Sequence, residues 1–303
     1  MTSFQAVARI RKILNVKKAG HCGTLDPFAS GVLPVCVGKA TRVVRYMDGY
    51  DKSYRCTVRF GAFTDTEDKD GQIIGGRMPA EDELAAMKAD DFSGIRKLFS
   101  ELTGEKDQLP PMYSAIKKNG HPLYEYARKG ITIERETRRI RIYSCDVHGI
   151  AADEFLSADF TVSVSKGTYI RTICNGLGVD TGYGAYADAL CRTVCGPFLL
   201  ENSYNIEDIE RLMQENRTDA FLLPEDLAIK DMPRLTVNPE EASRIRQGQQ
   251  MDLAQFEGRM INTGDRSGAE LHHSVYFDGK LIAVVFPDEK EGREILRIER
   301  VLV

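Results

Sequence analysis

The chain of 303 residues has the composition of a globular protein, with 42% hydrophobic and 28% charged residues. Its length predicts about two domains and a large core. No window approaches the roughly 18 uninterrupted apolar residues of a membrane span, and the N-terminus has no apolar stretch of the signal-peptide type. We therefore expect a cytoplasmic protein with no membrane partner. The seven cysteines show no CxxC spacing and the five histidines no ligand spacing, so we expect neither a disulfide framework nor a metal site.

The net charge of −4 conceals an uneven distribution. Between Arg9 and Arg45, Asp26 is the only acid among eight bases, and a second basic cluster extends from Arg128 to Arg141. Acids concentrate instead in TDTEDKDG (64–71) and EDELAAMKADD (81–91). Each cluster alone is equally typical of a solvated surface. Together they predict one basic face, an acidic back and a polyanionic partner.

Hydrophobic periodicity and turn residues predict the elements in chain order. The first third of the chain predicts an amphipathic helix from Phe4 to Leu14, a glycine- and proline-rich loop at 19–42, a strand at 53–61, a polar turn at 64–72, and helices at 81–89 and 92–102. A rigid connection at 108–117 precedes strands at 139–150 and 159–167. The segment at 168–178 begins as a strand and becomes helical, and a helix at 239–248 is followed by strands. This pattern predicts an α+β chain. We expect a mainly antiparallel central sheet with flanking helices in residues 1–230, and a small β-rich domain in residues 231–303.

The glycine- and proline-rich loop fixes a single acid, Asp26, in one conformation. Such a carboxylate can serve as a cap, a metal ligand, a general base or a nucleophile, and the lack of neighbouring acids disfavours the metal ligand. An aspartate that must stay ionised needs a cation nearby. The segment SKGTYIRT (165–172) offers Lys166 and Arg171. If a strand continued there, Tyr169 and Arg171 would share one face. Spacing alone leaves open whether this segment meets Asp26.

Four blocks of sequence carry a recognisable pattern. They are GHCGTLDPFASGVLPVCVG (20–38), DKSYRCTVRFGAFTDTEDKDG (51–71), QLPPMYSAIKKNGHPLYEYARKG (108–130) and SKGTYIRTICNGLG (165–178). In the same order, they resemble the signature motifs of the bacterial TruB-type tRNA pseudouridine-55 synthases. The resemblance implies the pseudouridine synthase fold, followed by a PUA-like C-terminal domain. It also implies that a uridine in the T-arm of tRNA is isomerised by base flipping, without a cofactor.

The resemblance further implies roles for individual residues. Asp26 would be the catalytic carboxylate, Tyr54 would stack on the uracil and move a proton, and Arg171 would pair with Asp26. The implied substrate-binding residues are His21, Tyr169, Leu190, Lys17, Lys18, Arg128 and Lys129. Within this set the histidine would displace the base, Tyr169 and Leu190 would line the pocket, and the four basic residues would contact phosphates. Taken singly, Tyr54 and Leu190 are more typical of a core, and Arg171 of a surface.

Three alternatives compete with a stand-alone tRNA uridine isomerase. An RNA-binding or tRNA-folding protein with dispensable catalysis is disfavoured by the intact Asp26, Tyr54 and Arg171. A guide-RNA-dependent relative is disfavoured by the lack of long basic extensions, and a nucleoside hydrolase by the basic clusters. We expect a monomer that binds tRNA without a guide RNA. The family usually has a strand and a Lys-Pro turn before the Thr-Ser at positions 2–3, so we expect either an upstream start or a missing edge strand.

Overall fold

The structure, a computed structural model, describes residues 1–256, 258–259 and 272–302. Contacts within the chain divide it into two compact units. The first unit comprises Met1–Ser3, Thr24–Leu33 and Gly49–Ser203. The second comprises Phe4–Gly23, Pro34–Asp48 and the described part of Tyr204–Val303. Asp26, Tyr54 and Arg171 all belong to the first unit.

The regular elements are as follows. The helices are α1 (Ser3–Ile13), α2 (Val44–Met47), α3 (Glu81–Ala89), α4 (Ser93–Ser100), α5 (Leu123–Ala127), α6 (Ile170–Thr181), α7 (Ile206–Gln214) and α8 (Pro239–Arg246). The strands are β1 (Ala19–His21), β2 (Ser30–Gly31), β3 (Val35–Val37), β4 (Lys52–Phe60), β5 (Phe63–Thr64), β6 (Ile73–Gly75), β7 (Gly104–Gln108), β8 (Lys117–Lys118), β9 (His121–Pro122), β10 (Arg138–Ala152), β11 (Leu156–Val164), β12 (Ala185–Cys195), β13 (Phe198–Leu199), β14 (Arg234–Thr236), β15 (Met251–Asp252), β16 (His273–Phe277), β17 (Lys280–Lys290) and β18 (Arg293–Val301).

The first unit is built on one sheet with the strand order β13-β12-β4-β11-β10-β7. Neighbours in this order are antiparallel, whereas β2 adds to β12 in parallel. Alternation along β4 buries Cys56, Val58 and Phe60 in a core shared with α4 and α6. The Phe99 ring of α4 packs on Phe160 of β11, with 5.0 Å between ring centroids. The predicted α+β architecture with a mainly antiparallel sheet is confirmed.

The segment at 168–178 differs from its predicted form. Tyr169 is the extended N-cap of α6, and Arg171 lies in the first turn of that helix. No strand continues to Arg171, so the condition under which Tyr169 and Arg171 would share a strand face is not met. The β-branched residues near the start favour a strand, but α6 buries Ile173 and Leu177 against the sheet. Burial of an amphipathic face outweighs such local preferences.

The second unit contains a sheet with the strand order β14-β16-β17-β18-β15. Its core includes Leu235, Ile245, Phe256, Val285 and Leu296. This sheet confirms the predicted β-rich C-terminal region. The boundary at residue 230 stays a prediction. In the described part of the chain, every helix is too short or too polar to cross a lipid bilayer.

Candidate active site

Asp26 lies in a turn of the first unit that several contacts hold in place. Ser3 Oγ accepts a hydrogen bond from the N–H of Leu25 at 2.9 Å and donates to its carbonyl oxygen at 3.3 Å. The N–H of Ala29 donates to the carbonyl oxygen of Asp26 at 3.0 Å and closes the turn. Phe28 packs against the core, and β2 then joins the sheet beside β12. The backbone around the carboxylate is thus fixed on both sides.

Arg171 binds the Asp26 carboxylate through two hydrogen bonds. Its Nε donates to Oδ2 at 2.8 Å and its Nη2 donates to Oδ1 at 3.0 Å. The Arg171 side chain is 3% exposed, whereas the Asp26 side chain is 31% exposed. A bidentate pair of this kind fixes the plane of the carboxylate. The cation is buried behind Asp26, and the carboxylate keeps an open side.

Arg171 also binds two backbone carbonyl groups from other parts of the first unit. Nη1 donates to the carbonyl oxygen of Thr66 at 2.6 Å, and Nη2 donates to that of Tyr113 at 2.9 Å. The Asp68 carboxylate lies 3.6 Å from Nη1. These acceptors compensate the burial of the guanidinium group. Arg171 therefore joins the Asp26 turn, the polar turn at 64–72 and the connection at 108–117.

Two of the four acids of the polar turn, Asp65 and Asp70, are exposed, whereas Glu67 and Asp68 are at least partly withdrawn from solvent. Only part of this turn can therefore contribute to the acidic surface that the sequence predicts. Asp68 is buried and accepts hydrogen bonds from Thr66 Oγ1 at 2.6 Å and from the N–H of Asp70 at 3.1 Å. Glu67 accepts a hydrogen bond from Thr172 Oγ1 at 2.7 Å. Burial raises the pKa of both Glu67 and Asp68. A local count of charges could not reveal the burial of Glu67, because its partner Thr172 lies in α6, 105 residues away in the chain.

Tyr54 and Leu190 lie on neighbouring strands, β4 and β12, and both contribute to the core of the first unit. Tyr54 is 8% exposed, and its burial raises the pKa of its hydroxyl group. The positive charge of Arg192 and a hydrogen bond from it lower this pKa, and the charge of Asp26 raises it. The structure thus places the Tyr54 hydroxyl within electrostatic reach of the Asp26 carboxylate.

Tyr169 is held by a buried glutamine that the sequence analysis missed. The N–H of Tyr169 donates to Oε1 of Gln108 at 2.8 Å, and Nε2 of Gln108 donates to the carbonyl oxygen of Tyr169 at 3.0 Å. This reciprocal pair fixes the chain where α6 begins, two residues before Arg171. Burial raises the pKa of Tyr169. In the sequence, the only sign of this role is that Gln108 is a polar residue directly before Leu-Pro-Pro.

The proposed RNA-contacting residues fall in both units. Lys17, Lys18 and His21 belong to the second unit, and Arg128 and Lys129 belong to the first. The four basic side chains are exposed, and His21 is half-buried in β1. The Arg128 guanidinium lies over the Tyr124 ring, 5.3 Å from its centroid. Their contacts with RNA stay predictions. Within residues 1–256, 258–259 and 272–302, no three His, Cys, Asp or Glu side chains are grouped so as to hold a metal ion.

We expect Gly31→Ala to destabilise the first unit more than Gly104→Ala. Both glycines have a positive φ, 108° at Gly31 and 117° at Gly104, so both variants strain the backbone by about 1 to 3 kcal/mol. At Gly31 the added Cβ would also overlap the backbone of Arg192, whereas the space at Gly104 is open. Urea unfolding of both variants measures the difference. If both variants lost the same free energy of unfolding, the backbone at Arg192 would be able to shift and accommodate the added Cβ at Gly31.

Comparison with known proteins places this chain in a family. A family model for TruB pseudouridylate synthases (N-terminal domain) matches residues 11–170. The tRNA pseudouridine synthase B of Geobacillus kaustophilus is 44% identical over 259 residues, which cover 84% of this chain and 88% of that protein. This chain belongs to the TruB family of pseudouridylate synthases.

A second relative and two solved structures extend the match. The tRNA pseudouridine synthase B of Bacillus subtilis is 36% identical, and the alignment covers 95% of this chain and 89% of that protein. A chain of a solved Cbf5-Nop10-Gar1 complex is 25% identical and superposes with a TM-score of 0.72, covering all (100%) of this chain and 82% of that chain. A chain of the archaeal box H/ACA Nop10-Cbf5 complex gives a TM-score of 0.70 at 23% identity. The predicted family, enzyme class and pseudouridine synthase fold are confirmed.

Proposed function

We propose that this TruB-family chain isomerises uridine to pseudouridine in tRNA, at position 55 of the T-arm. Curated relatives at 36% to 44% identity carry the name tRNA pseudouridine synthase B. The observation that carries the catalytic assignment is the Asp26 carboxylate, which Arg171 holds from behind and which keeps an open side. A carboxylate beside the anomeric carbon can attack it or stabilise its positive charge, as one of the two carboxylates of a glycosidase does. A second, acidic carboxyl group is not needed here, because the departing uracil can hold negative charge on its carbonyl groups.

In the proposed reaction the bond between C1′ of the ribose and N1 of the uracil breaks. The uracil rotates, a bond forms between C1′ and C5, and the proton at C5 is lost while N1 gains a proton. Atoms and electrons balance, so no oxidant, reductant or cofactor is consumed. Asp26 acts on the nucleotide in one of three ways: it bonds to the anomeric carbon, it adds to the base, or it stabilises the positive charge that develops on the sugar. The uracil carries the matching negative charge on its carbonyl groups.

The surroundings of Asp26 support a flipped nucleotide. Extrusion of a base from its stack costs a few kcal/mol, and a stacking surface offsets part of this cost. Tyr54 and Tyr169 supply aromatic rings, and Leu190 supplies an apolar side chain. We assign His21 to displacement of the base from the T-loop. The hydroxyl of Tyr54 moves a proton during the isomerisation.

We further propose that the exposed basic residues Lys17, Lys18, Arg128 and Lys129 contact tRNA phosphates. The salt dependence of tRNA binding tests the second pair. In the Arg128→Ala, Lys129→Ala variant, the slope of log affinity against log salt should fall by up to about one unit per lost phosphate contact. A matched control replaces the exposed Lys88 and Lys97, which changes the net charge equally. Equal slopes in both variants would remove Arg128 and Lys129 from the interface.

The domain assignment is part of the same proposal. Residues 1–230 would form the catalytic domain and residues 231–303 the PUA-like domain. The core of the C-terminal sheet begins at Leu235, just past the proposed boundary. We also propose that the protein acts as a monomer in the cytoplasm and needs no guide RNA. Activity of the purified chain alone tests whether a guide RNA is needed, and the mass of the protein in solution tests whether it is a monomer.

The decisive experiment is incubation of the purified protein with unmodified tRNA, followed by mapping of pseudouridine at single-nucleotide resolution. We expect one modified position, in the T-arm. Product elsewhere would contradict the site assignment. Binding and refolding of tRNA without any pseudouridine would favour the alternative, an RNA-binding or tRNA-folding protein in which catalysis is dispensable.

A further inference from the structure

Arg192 is a buried cation of the central sheet, near the C-terminal end of β12. It is 1% exposed, and among the described residues it is the largest of the fully buried side chains. Burial of a guanidinium group is costly unless its donors are satisfied. The group has five N–H donors and no acceptor. The positions of its partners therefore indicate what this side chain holds in place.

One partner is the far end of the Asp26 turn. Nε of Arg192 donates to the carbonyl oxygen of Val32 at 2.7 Å. The N–H of Val32 donates to the carbonyl oxygen of Arg192 at 2.9 Å. Gly31 lies opposite Arg192 in the parallel pairing of β2 with β12. Arg192 thus binds the chain after Asp26 through both its side chain and its backbone.

A second partner is Tyr54. In the antiparallel pairing of β4 with β12, Tyr54 lies directly opposite Arg192, and both side chains are buried. Directly opposite residues lie close enough for contact. A hydrogen bond and the positive charge of Arg192 lower the pKa of Tyr54, against the rise caused by burial. The other charged or titratable groups that act on the hydroxyl are Cys195, also on β12, and Asp26.

The chemistry of the two groups fixes the direction of the hydrogen bond. Because a guanidinium group only donates, a hydrogen bond between these two opposite, buried side chains runs from Arg192 to the Tyr54 oxygen. A phenol has a single proton, and this proton cannot point at the same donor. It therefore points away from Arg192 and is available to another acceptor. A neutral partner such as glutamine would not fix this direction, because its amide both donates and accepts.

We infer that Arg192 is a positioning residue for the isomerisation: it directs the Tyr54 hydroxyl proton toward the nucleotide and holds Tyr54 in register with the Asp26 turn through Val32. The inference rests on the proposed function, in which Tyr54 moves a proton. It assigns no contact between Arg192 and the substrate.

A spectroscopic titration tests the link to Tyr54 without any activity assay. Position 54 is labelled with 3,5-difluorotyrosine, whose phenol is more acidic than that of tyrosine, and the ¹⁹F signal is followed against pH. Arg192→Met should raise the midpoint, since a cation and a donor are lost, and Arg192→Lys, which keeps the charge, should raise it less. Arg55→Met is the matched control, since Arg55 lies on β4 one residue from Tyr54 and is exposed. Its midpoint should equal that of the parent protein.

A kinetic cycle tests the consequence for the reaction. Under single-turnover conditions Arg192→Met should slow pseudouridine formation by about 100-fold, as expected for a misplaced catalytic group. In a Tyr54→Phe background the same change should cost little, since no hydroxyl remains to be directed. Arg192→Lys should recover part of the rate in the presence of Tyr54 only. Additive losses would mean that Arg192 supports the fold and not Tyr54.

The outcomes separate this inference from the proposed function. An unchanged ¹⁹F midpoint in Arg192→Met overturns the inference, whatever the enzyme makes. A parent protein that forms no pseudouridine contradicts the proposed function but leaves the titration valid. Circular dichroism melting shows which variants fold. Where Arg192→Met does not fold, the difference in midpoint between Arg192→Lys and the parent decides, and no difference overturns the inference.

Discussion

The Asp26→Asn variant is expected to bind tRNA and to form no pseudouridine. Asparagine keeps the size of the side chain but removes the charge that acts on the nucleotide. Its Oδ1 can still accept from Arg171, whereas its NH₂ group would face an N–H donor. We expect a loss of rate on the order of 10⁴-fold or more, which corresponds to at least about 5 kcal/mol of transition-state stabilisation. Affinity should change by less than about tenfold, because phosphate contacts dominate RNA binding.

The measurement is single-turnover release of tritium from tRNA labelled at C5 of uridine, with filter binding on the same preparations. Asp70→Asn is the matched control, because Asp70 is an exposed aspartate of the polar turn. It should keep the parent rate. Isomerisation by Asp26→Asn, after mass spectrometry has excluded reversion to aspartate, would refute the assignment. If binding and activity disappeared together, Asp26 would instead be a structural cap of its own turn.

Local pattern was sufficient to predict most of the regular elements. Strict alternation in SYRCTVRF predicted the central strand β4, and helical periodicity predicted α1 and α3. Each of these signals lies within one segment, since it depends on which faces of that segment are buried. The parallel addition of β2 to β12 left no such signal. Two residues are too short for a period, and the pairing depends on the shape of the Asp26 turn.

Only part of the candidate site was predicted, because sequence signals lie within one segment whereas the site is built from several. Asp26 stood out because it is the only acid in a segment of glycines, prolines and bases, and family motifs pointed to Tyr54 and Arg171. Gln108 and Asp68 were missed, although the structure places both beside residues of the site. Their partners lie 61 and more residues away in sequence, and each is polar in a segment where polar residues are ordinary. Such contacts follow from packing and carry no local signature.

Arg171 and Arg192 hold different parts of the Asp26 turn. Arg171 binds the carboxylate itself, and Arg192 binds the backbone that follows it. Both guanidinium groups are buried, and both also contact backbone or hydroxyl oxygens from other segments. Since a buried cation needs several acceptors at once, each arginine restricts the relative positions of the segments that supply them. The open side of Asp26 is therefore presented by a rigid frame.

Arg171→Lys is expected to separate the charge of Arg171 from its geometry. Lysine keeps the positive charge but cannot form the bidentate pair with Asp26 while also donating to the carbonyl groups of Thr66 and Tyr113. We expect the rate to fall by about 100-fold, the cost of a carboxylate that is misplaced by about 1 Å. Single-turnover kinetics measures the rate, and tRNA affinity should stay near that of the parent.

Arg171→Met should lower both the stability of the fold and the rate of the reaction more than Arg171→Lys does. It leaves Asp26 without its cation and two buried carbonyl oxygens without donors. Loss of one partner of a buried pair costs about 3 to 5 kcal/mol, and the partial exposure of Asp26 lowers the expected loss here to about 2 to 4 kcal/mol. Urea unfolding measures this loss, and the exposed Arg55→Met serves as the control.

The double variant Asp26→Asn, Arg171→Met decides whether the two residues serve one step. If Arg171 acts only by holding the Asp26 carboxylate in place, the double variant should be little slower than Asp26→Asn alone, because residues that act as a unit are strongly non-additive. A further large loss would mean that Arg171 also acts on the nucleotide directly.

A parent-like rate in the single variant Arg171→Lys would contradict the role of geometry. It would show that the charge behind Asp26 is sufficient, and that the bidentate geometry contributes to the stability of the fold rather than to the reaction.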